Sequence, residues 1–541
     1  MTSVPKVDVD IAGTALAAGE SEAAPAPFTA LAGSKARRNA LAALVSVLVV
    51  LLIAFSTGFE HGGGPMDEGT LLLYPEMIQR GAVPYRDFET FYGPANPYFL
   101  AAVYSLFGTN IVVEGMVGLF YRVVILIALF GITRRWGTTI ASACTLMSGL
   151  LLLPLSIVAF AWFGAVACAL CFIWAMAEAG QPWRYFVGGL LAALALTFRP
   201  DLGPAVVLAA LVLIWPLSQS LRLKFALGAA VGLIPFAVVT VVAGPEQVFN
   251  NIFLYPVIRS GPARRIPFFA AHPLLVRLFI AMVLAAIANI VAGLLAVRAH
   301  REGRRERVLL AFALFGAGVM PQAWQRLDLA HLLFVAFLVI GLLPLSLFSV
   351  VARRIENRKE GWLALGSAST VAFLVVAIAP YLASMSLTSF ADALRTSPKG
   401  TVFVQRGSRS FPAGYPERVI QIGRMLDDLE RLSVPGERLF VGPKNLRRTN
   451  YNDTFIYHLV PSLRPATYFL EMNPGSANRP GSRLASDVLS ADWLVLNREW
   501  DSNGEPNRST ESGSAEAADV VKNHFQVVGT YGSFGLLRRK R

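Results

Sequence analysis

Two adjacent carboxylates, Asp67 and Glu68, stand just beyond the first long apolar segment of the sequence. They follow a glycine-rich turn and begin a short stretch in which apolar residues recur at helical spacing. A carboxylate held at a lipid–water interface suits a general base that takes a proton from a membrane-bound substrate. The alternative is that Asp67 only caps the helix that follows it. Both interpretations place Asp67 at the start of an interfacial helix.

Arg326, Asp328 and His331 form a compact charged motif between two apolar segments. Asp328 and His331 are three residues apart and would share one face of a helix, with Arg326 at its mouth. Arginine and histidine side chains can stabilise a phosphate leaving group through hydrogen bonds and charge. The motif is therefore a candidate anion site with Arg326 and His331 as its cations, and the alternative is a salt-bridged helix cap.

Three further arginines could contribute to the same anion site. Arg264 and Arg265 lie in the long loop 244–272, which could close over a phosphate, although anionic lipid headgroups would attract the same residues. Arg199 follows directly on an apolar segment, and pairing with Asp201 is its alternative role. Without a metal ion, side chains such as these must supply the positive charge at such a site.

The composition indicates which elements position these residues. Of the 541 residues, 55% are hydrophobic and 15% are charged, whereas soluble globular proteins carry about 25% charged residues. This composition excludes a cytosolic enzyme, a disordered protein and a disulfide scaffold. The formal net charge of +13 lies mostly in short loops between apolar runs, so it indicates membrane topology and no nucleic-acid partner. The three cysteines fall within apolar segments and are predicted to be packing residues.

Eleven membrane spans are predicted from the apolar runs and the basic loops between them. With the N-terminus in the cytoplasm, the basic clusters all fall on the cytoplasmic side, as the positive-inside rule requires. Residues 97–108 are predicted to form an interfacial helix, because counting them as a crossing would place Arg134 and Arg135 outside. Arg122, inside the second span, is predicted to pair with a carboxylate on another helix. The predicted spans are 40–58, 112–133, 138–155, 158–177, 185–198, 202–218, 225–243, 273–297, 308–320, 329–350 and 362–385.

The first external loop, 60–97, carries a resemblance to a known family. After the Asp-Glu pair and the interfacial helix come Gly81-x-x-Pro84-Tyr85-x-Asp87 and Tyr92-Gly93-Pro94. This combination is similar to the first periplasmic loop of GT-C glycosyltransferases, which include protein O-mannosyltransferases, lipid A aminoarabinose transferases and actinobacterial cell-envelope glycosyltransferases. The resemblance covers about residues 40–385 and is sharpest over 66–108.

The resemblance implies transfer of a hexose or pentose, with inversion, from a polyprenyl phosphate. With a lipid phosphate as the leaving group, the residues expected to bind the donor phosphate are Arg326, His331, Arg264, Arg265 and Arg199. The acceptor would be a cell-wall polysaccharide, glycolipid or protein on the outer face of the plasma membrane. Asp67 matches the catalytic aspartate of the family, with Glu68 as its acidic neighbour. Because the sequence has Asp-Glu and not the Asp-x-Asp of metal-dependent oligosaccharyltransferases, we expect no cofactor and no obligatory metal, without excluding a divalent ion. The residues expected to position the substrate are Tyr85, Arg86, Asp87, Tyr92 and Asp328.

The predicted architecture is an all-α polytopic membrane protein, GT-C-like, with a C-terminal extracytoplasmic α/β domain. Residues 1–39 are predicted to be a disordered cytoplasmic tail, residues 40–385 the transmembrane domain, and residues 386–541 the α/β domain. The polar and aromatic stretch 441–483 either contacts an acceptor carbohydrate or supplies tight turns. Within it, Asn452-Asp453-Thr454 fits a glycosylation sequon.

Two other functions are consistent with parts of the sequence. A transporter or flippase would be favoured by polar breaks in mid-membrane helices and by two similar halves, neither of which the sequence contains. A non-catalytic anchor that presents its C-terminal domain to a cell-wall partner would leave the acidic first loop unexplained. The sequence therefore favours the glycosyltransferase, with membrane lipids as further partners.

Overall fold

The computed structural model describes residues 27–56, 64–178, 180–300, 303–353, 360–393 and 402–540. Residues 1–26 of the predicted tail and residues 60–63 of the first loop lie outside this range, as do parts of two basic clusters, 301–302 and 354–359. In chain order, the helices before residue 394 are α1 (Pro27–Phe55), α2 (Asp67–Gln79), α3 (Ala95–Phe107), α4 (Ile111–Thr133), α5 (Thr138–Leu152), α6 (Ala161–Ala177), α7 (Trp183–Phe198), α8 (Gly203–Ile214), α9 (Gln219–Ala243), α10 (Pro245–Phe249), α11 (Gly261–Arg264), α12 (Pro273–Ala299), α13 (Arg304–Gly318), α14 (Met320–Gln325), α15 (Leu329–Val351), α16 (Glu360–Ile378) and α17 (Pro380–Ala393), with a π-helical stretch at Asn250–Arg259.

The protein is a polytopic membrane protein. In the described part of the chain, 7 helices are long and apolar enough to cross a membrane, and shorter apolar helices accompany them at α5, α6, α7 and Pro200–Ile214. Each of the predicted spans coincides with one of these helices. The predicted interfacial segment forms α3, whose 13 residues span about 20 Å at 1.5 Å per residue, less than the hydrocarbon core of a bilayer. The number of crossings stays a prediction.

The ends of this helical part differ from the predicted boundaries. Helix α1 begins at Pro27, so residues 27–39 of the predicted tail are helical, because their alanine, leucine and basic residues are strong helix formers. At the other end, α16 stops before Pro380 and a separate helix, α17, continues to Ala393, past the predicted boundary at 385. Proline is well tolerated at the first position of a helix, which explains the restart at Pro380.

The C-terminal part is a small α/β domain, as predicted. A five-stranded sheet has the order β4-β3-β5-β7-β6, in which β3 and β5 are parallel and β7 is antiparallel to β5 and β6. A separate hairpin of β1 and β2 lies beside α18. The elements are β1 (Val402–Arg406), β2 (Arg409–Gly414), α18 (Pro416–Leu432), β3 (Arg438–Pro443), α19 (Phe455–Leu459), β4 (Arg464–Pro465), α20 (Leu484–Ser490), β5 (Trp493–Asn497), α21 (Glu516–His524), β6 (Phe525–Tyr531) and β7 (Phe534–Arg539).

Helix α2 lies between the membrane helices and the C-terminal domain. Gly69 of α2 packs directly on the start of α19, where a Cβ atom on Gly69 would lie only 2.4 Å from the backbone nitrogen of Phe455. A buried ion pair of 2.6 Å joins Glu76 of α2 to Arg409 of β2. The C-terminal domain therefore holds the helix that begins with the predicted catalytic aspartate.

Candidate active site

A cavity of about 650 Å³ lies between α2, the ends of α7 and α15, and the C-terminal domain. One wall is apolar and is formed largely by the segment that connects α5 to α6 and by neighbouring helix residues. The opposite wall is polar and combines residues of both domains. The predicted site residues that line the cavity are Asp67, Tyr92, Arg199, Arg264, Arg326, Asp328 and His331.

Asp67 is the first residue of α2 but does not cap the helix. The N-cap position belongs to Met66, and no side chain bonds to the exposed backbone N–H groups there. The Asp67 side chain is instead exposed to the cavity. Enclosure by protein and the negative charge of Glu471 raise the pKa of Asp67 to about 6, although Arg264, His331 and Arg326 act in the opposite direction. Asp67 is thus a carboxylate with a pKa near neutrality that faces open space, as a general base requires.

Glu68 does not share the cavity with Asp67, so the predicted catalytic pairing of these neighbours is wrong. Its side chain is 3% exposed and is absent from the cavity wall. Successive residues on a helix point about 100° apart, so Glu68 faces away from Asp67. Its charge acts on Tyr104 and Glu114 behind α2.

The second carboxylate on the wall beside Asp67 is Glu471, from the C-terminal domain. It is 4% exposed and accepts hydrogen bonds from the Tyr74 hydroxyl (2.9 Å) and from Nδ2 of Asn473 (3.1 Å). Tyr74 lies seven residues after Asp67, on the same face of α2. No basic side chain of the described chain forms an ion pair with Glu471. Its position was not predicted, although it falls within the polar stretch 441–483.

Glu89, also not predicted, lies behind Glu471 and is completely buried. Its carboxylate accepts hydrogen bonds from Asn473 (3.1 Å) and from the Ser476 hydroxyl. Burial raises the pKa of Glu89 to about 7 despite these two hydrogen bonds. Asn473 therefore joins two carboxylates, of which only Glu471 reaches the cavity.

Arg264 lines the cavity with a guanidinium that has no ion-pair partner among the described residues. Its Nη1 donates to Oδ1 of Asn473 (2.7 Å), and its guanidinium lies 5.6 Å from the ring centre of Phe91. Among the described residues, no carboxylate lies within ion-pair distance of Arg264. This leaves most of its N–H donors for a ligand.

Arg199 lines the cavity but is paired with Asp201, which was the alternative to phosphate binding. It donates to both oxygens of Asp201, at 2.8 and 2.6 Å. Its guanidinium also stacks near Tyr92 and Trp162, with ring centres at 5.0 and 5.3 Å. Arg199 thus fixes the cavity wall and contributes charge at a distance.

Residues 326–331 form a salt-bridged helix cap, which was the alternative to phosphate binding. Arg326, Asp328 and His331 also line the cavity. Asp328 is the N-cap of α15, where its side chain accepts from the backbone N–H of His331 (2.9 Å), and His331 Nδ1 lies 2.8 Å from its Oδ1. Burial favours the neutral acid, but the hydrogen bonds and charge of His331 outweigh it and hold the pKa of Asp328 well below its usual range. Arg326 pairs with Asp328 at 2.7 Å and also with Glu505 of the C-terminal domain.

Four other predicted site residues lie outside the cavity. Arg265 is exposed to solvent. Arg86 and Asp87 form a surface ion pair (2.8 Å), and Asp87 also accepts from the backbone N–H of Val83 to close a turn. Tyr85 is buried with a positive φ of 70° and donates its hydroxyl to the backbone oxygen of Tyr92 (2.7 Å). Tyr85, Arg86 and Asp87 shape the turn of the first external loop, and none of the four residues lines the cavity.

Two other expectations change with the structure. Arg122 donates to the backbone oxygens of Ser156 (2.5 Å) and Val158 (3.5 Å) and lies 4.3 Å from the ring centre of Phe163, so a neighbouring loop takes the place of the expected carboxylate on another helix. Asn452 is fully buried, so the sequon cannot be glycosylated in the folded protein. No group of three or more potential metal ligands comes together in the described ranges, and metal independence stays a prediction.

Comparisons with known proteins identify the fold. No protein-family model and no curated protein matches the sequence. The crystal structure of ArnT from Cupriavidus metallidurans bound to undecaprenyl phosphate matches with a TM-score of 0.54 and 15% identity, over 92% of this chain and 97% of that chain. The apo structure of the same protein matches with a TM-score of 0.53 and 13% identity, over 93% and 98%. The chain therefore has the GT-C fold of ArnT, as the resemblance predicted.

Proposed function

We propose that the protein is an inverting membrane glycosyltransferase that transfers a sugar from a polyprenyl phosphate to an acceptor hydroxyl. The observation that carries this proposal is the Asp67 carboxylate, which makes no cap bond, faces the cavity and has a pKa near neutrality. A second support is the fold, which is similar to that of ArnT bound to undecaprenyl phosphate.

The apolar wall of the cavity suits the lipid part of such a donor. Pro154, Leu155, Phe160, Trp162 and Phe334 all line the cavity and offer a hydrophobic surface next to the membrane helices. A prenyl chain that leaves the bilayer between these helices would keep most of its apolar area out of water. The lipid phosphate would then reach the polar wall.

Arg264 is the main phosphate ligand in this proposal. Its guanidinium has no carboxylate partner in the described chain, and its charge is felt by Asp67. Two or more N–H donors aimed at the phosphate would stabilise the negative charge that develops as the sugar leaves. His331 lines the same space and supplies a further donor or positive charge.

The chemistry needs one base and one leaving group. Asp67 takes the proton of the acceptor hydroxyl while the hydroxyl oxygen attacks the anomeric carbon of the sugar. The bond from that carbon to the phosphate oxygen breaks with its electron pair, and the polyprenyl phosphate departs as an anion. Attack from the face opposite the phosphate inverts the anomeric configuration. Glu471 and Asn473 lie beside Asp67. Their side-chain oxygens can accept hydrogen bonds from sugar hydroxyls.

The reaction would take place at the outer face of the plasma membrane, on a polysaccharide, glycolipid or protein of the cell envelope. This placement follows from the basic loops, which assign the C-terminal domain to the external side. No metal ion or other cofactor is part of the proposal.

The test is transfer of radiolabelled sugar from a panel of polyprenyl-phosphate sugars to membrane acceptors, with wild-type protein and Asp67→Asn. We expect the variant to lose transfer by at least about 10²- to 10⁴-fold, the usual contribution of a general base, and to bind undecaprenyl phosphate like the wild type. Asp427→Asn, which changes a surface aspartate 69% exposed on α18, is the matched control and should keep full transfer.

Two results would refute the proposal. Wild-type transfer rates in Asp67→Asn would remove the base. No transfer by the wild-type protein from any donor would favour a membrane anchor instead.

A further inference from the structure

Glu505 of the C-terminal domain forms an ion pair with the guanidinium of Arg326. Its Oε2 accepts from Nη1 (3.0 Å) and its Oε1 accepts from Nη2, so the two groups pair in a bidentate manner. Arg326 also donates through Nη2 to the Tyr451 hydroxyl (3.4 Å), through Nη1 to the backbone oxygen of Arg264 (3.2 Å) and through Nε to Asp328 (2.7 Å). An arginine has five N–H donors, and each of those on Arg326 has an acceptor.

A phosphate can therefore bind Arg326 only if one of these acceptors leaves. Asp328 is fixed, because it also caps α15 and pairs with His331. The oxygen of Arg264 belongs to the backbone. Glu505 is the replaceable partner: it lies outside the regular strands and helices, between two short 3₁₀ turns, and its other contacts are with Asn507 (3.0 Å) and Tyr451 (3.4 Å).

A carboxylate and a phosphate present similar pairs of oxygens to an arginine, and both form the same forked hydrogen bonds. Glu505 also lines the cavity that contains Asp67 and Arg264. The Arg326 side chain is only 17% exposed, so an unpaired charge there would be costly when the cavity is empty. Glu505 removes that cost until a ligand does so.

We infer that Glu505 is an internal substitute for the phosphate of the lipid donor, which displaces it and binds between Arg326 and Arg264. The Arg326 guanidinium donates to the backbone oxygen of Arg264, and a β-bridge joins Ile266 to Arg326. These contacts hold the two cations beside one another. The inference rests on the proposed function, since it assigns a competitor to the same phosphate.

The test is the dissociation constant of undecaprenyl phosphate, measured by calorimetry on the full-length protein in nanodiscs. Glu505→Gln retains the shape of the side chain and removes its charge. We expect binding to tighten on the order of tenfold, which corresponds to about 1.4 kcal/mol, because the phosphate no longer competes with a charged acceptor for the guanidinium. Glu511→Gln is the matched control, since Glu511 pairs with exposed Arg508 on the same segment, and it should leave the constant unchanged.

Two additional measurements make the result specific. When Glu505→Gln is added to Arg326→Ala, binding should be no tighter than in Arg326→Ala alone, because Glu505 in that background has no guanidinium to pair with. Inorganic phosphate serves as a second ligand and should also bind more tightly to Glu505→Gln. If Glu505→Gln does not fold, Glu505→Asp, which keeps the charge but shortens the side chain, should tighten binding to a smaller extent.

Several outcomes would overturn the inference. They are unchanged or weaker binding in a folded Glu505→Gln protein, a gain that persists without Arg326, and tightening for inorganic phosphate but not for the lipid. If the wild-type protein binds undecaprenyl phosphate and Glu505→Gln binds it no better, only this inference fails. If neither protein binds it, the proposed function fails as well.

Discussion

Asp67 and Glu471 reach the same cavity from opposite ends of the sequence, and the charge of Glu471 changes the basicity of Asp67. Asp67 would be a weak base at its ordinary pKa. Enclosure and the charge of Glu471 raise that pKa to about 6, close to the pH at which a base is both deprotonated and effective. Glu471 is held beside Asp67 by hydrogen bonds from two neutral donors, Tyr74 and Asn473.

This coupling predicts the pH dependence of transfer. In the proposed mechanism transfer needs ionised Asp67, so kcat/KM should fall as pH decreases through about 6, approaching tenfold per pH unit. Glu471 raises the pKa of Asp67, so Glu471→Gln should move this acidic limb to lower pH. The other groups that face Asp67 and remain in the variant are Arg264, His331, Arg326, Tyr92 and Tyr451.

The measurement is kcat/KM from pH 4.5 to 8 for the wild type, Glu471→Gln and the surface control Glu511→Gln. The control should keep the wild-type limb. An acidic limb that stays in place in Glu471→Gln, or moves to higher pH, would show that Glu471 does not act on the titrating base.

The residues found from the sequence share a local signal, and those missed do not. Asp67 begins a short amphipathic helix, and Arg326 and His331 lie five residues apart in one short segment. A few neighbouring positions are therefore enough to suggest their chemistry. Glu471 and Glu505 acquire their roles only through contacts with Tyr74 and Arg326, which are 397 and 179 residues away in the chain. No periodicity or spacing records such a pairing. The error at Glu68 is also geometric, since adjacent residues on a helix cannot share a narrow wall.

At the scale of elements, α2 depends on its contact with the C-terminal domain. The helix packs against α19 through Gly69, where backbone meets backbone without an intervening side chain. Farther along α2, Glu76 pairs with Arg409 at 2.6 Å in a buried site. These two contacts set the direction of α2 and so the position of Asp67 at its start.

Gly69→Ala should separate α2 from α19. The added Cβ would lie 2.4 Å from the nitrogen of Phe455 and 2.9 Å from the backbone carbon of Thr454, and neither backbone atom can move without shifting an element. We expect a loss of about 1–3 kcal/mol of stability, as for other overpacked sites, and a larger relative loss of transfer than of lipid phosphate binding. The measurements are the thermal unfolding midpoint and both activities of the purified variant.

Gly423→Ala in α18 is the control, because no atom lies within 4 Å of the Cβ position there. Alanine is a better helix former than glycine, so this variant should be as stable as the wild type or more stable by up to about 1 kcal/mol. Equal behaviour of the two alanine variants would show that the close approach at Gly69 is not required.

The elements themselves were largely predictable, because membrane helices are long apolar runs that the bilayer requires to be continuous. The strands at Arg438–Pro443 and Trp493–Asn497 also coincide with short apolar stretches of the sequence. The boundaries were less predictable. At Pro27 and Pro380 the helix limits follow local backbone preferences, which the hydropathy of a segment does not register.

For the whole molecule, the cavity unites two chemically different parts. The membrane helices supply an apolar wall and cations at their ends, and the C-terminal domain supplies Tyr451, Glu471, Asn473 and Glu505. Neither part encloses the site alone. A site of this kind can serve a lipid-linked donor and an acceptor of the cell envelope only if the C-terminal domain lies on the same side of the membrane as the acceptor.

The basic loops predict that this side is outside the cell, and cysteine labelling tests this orientation. After the three native cysteines are replaced by serine, a cysteine is introduced at exposed Gln181, between α6 and α7, or at exposed Ser502 of the C-terminal domain. In sealed right-side-out vesicles, a membrane-impermeant maleimide should label Ser502→Cys fully and Gln181→Cys only after the vesicles are opened by detergent, because the loop before Arg184 is predicted to be cytoplasmic. The reverse pattern would place the cavity, and with it Asp67, on the cytoplasmic face, where an acceptor of the outer cell envelope could not reach it.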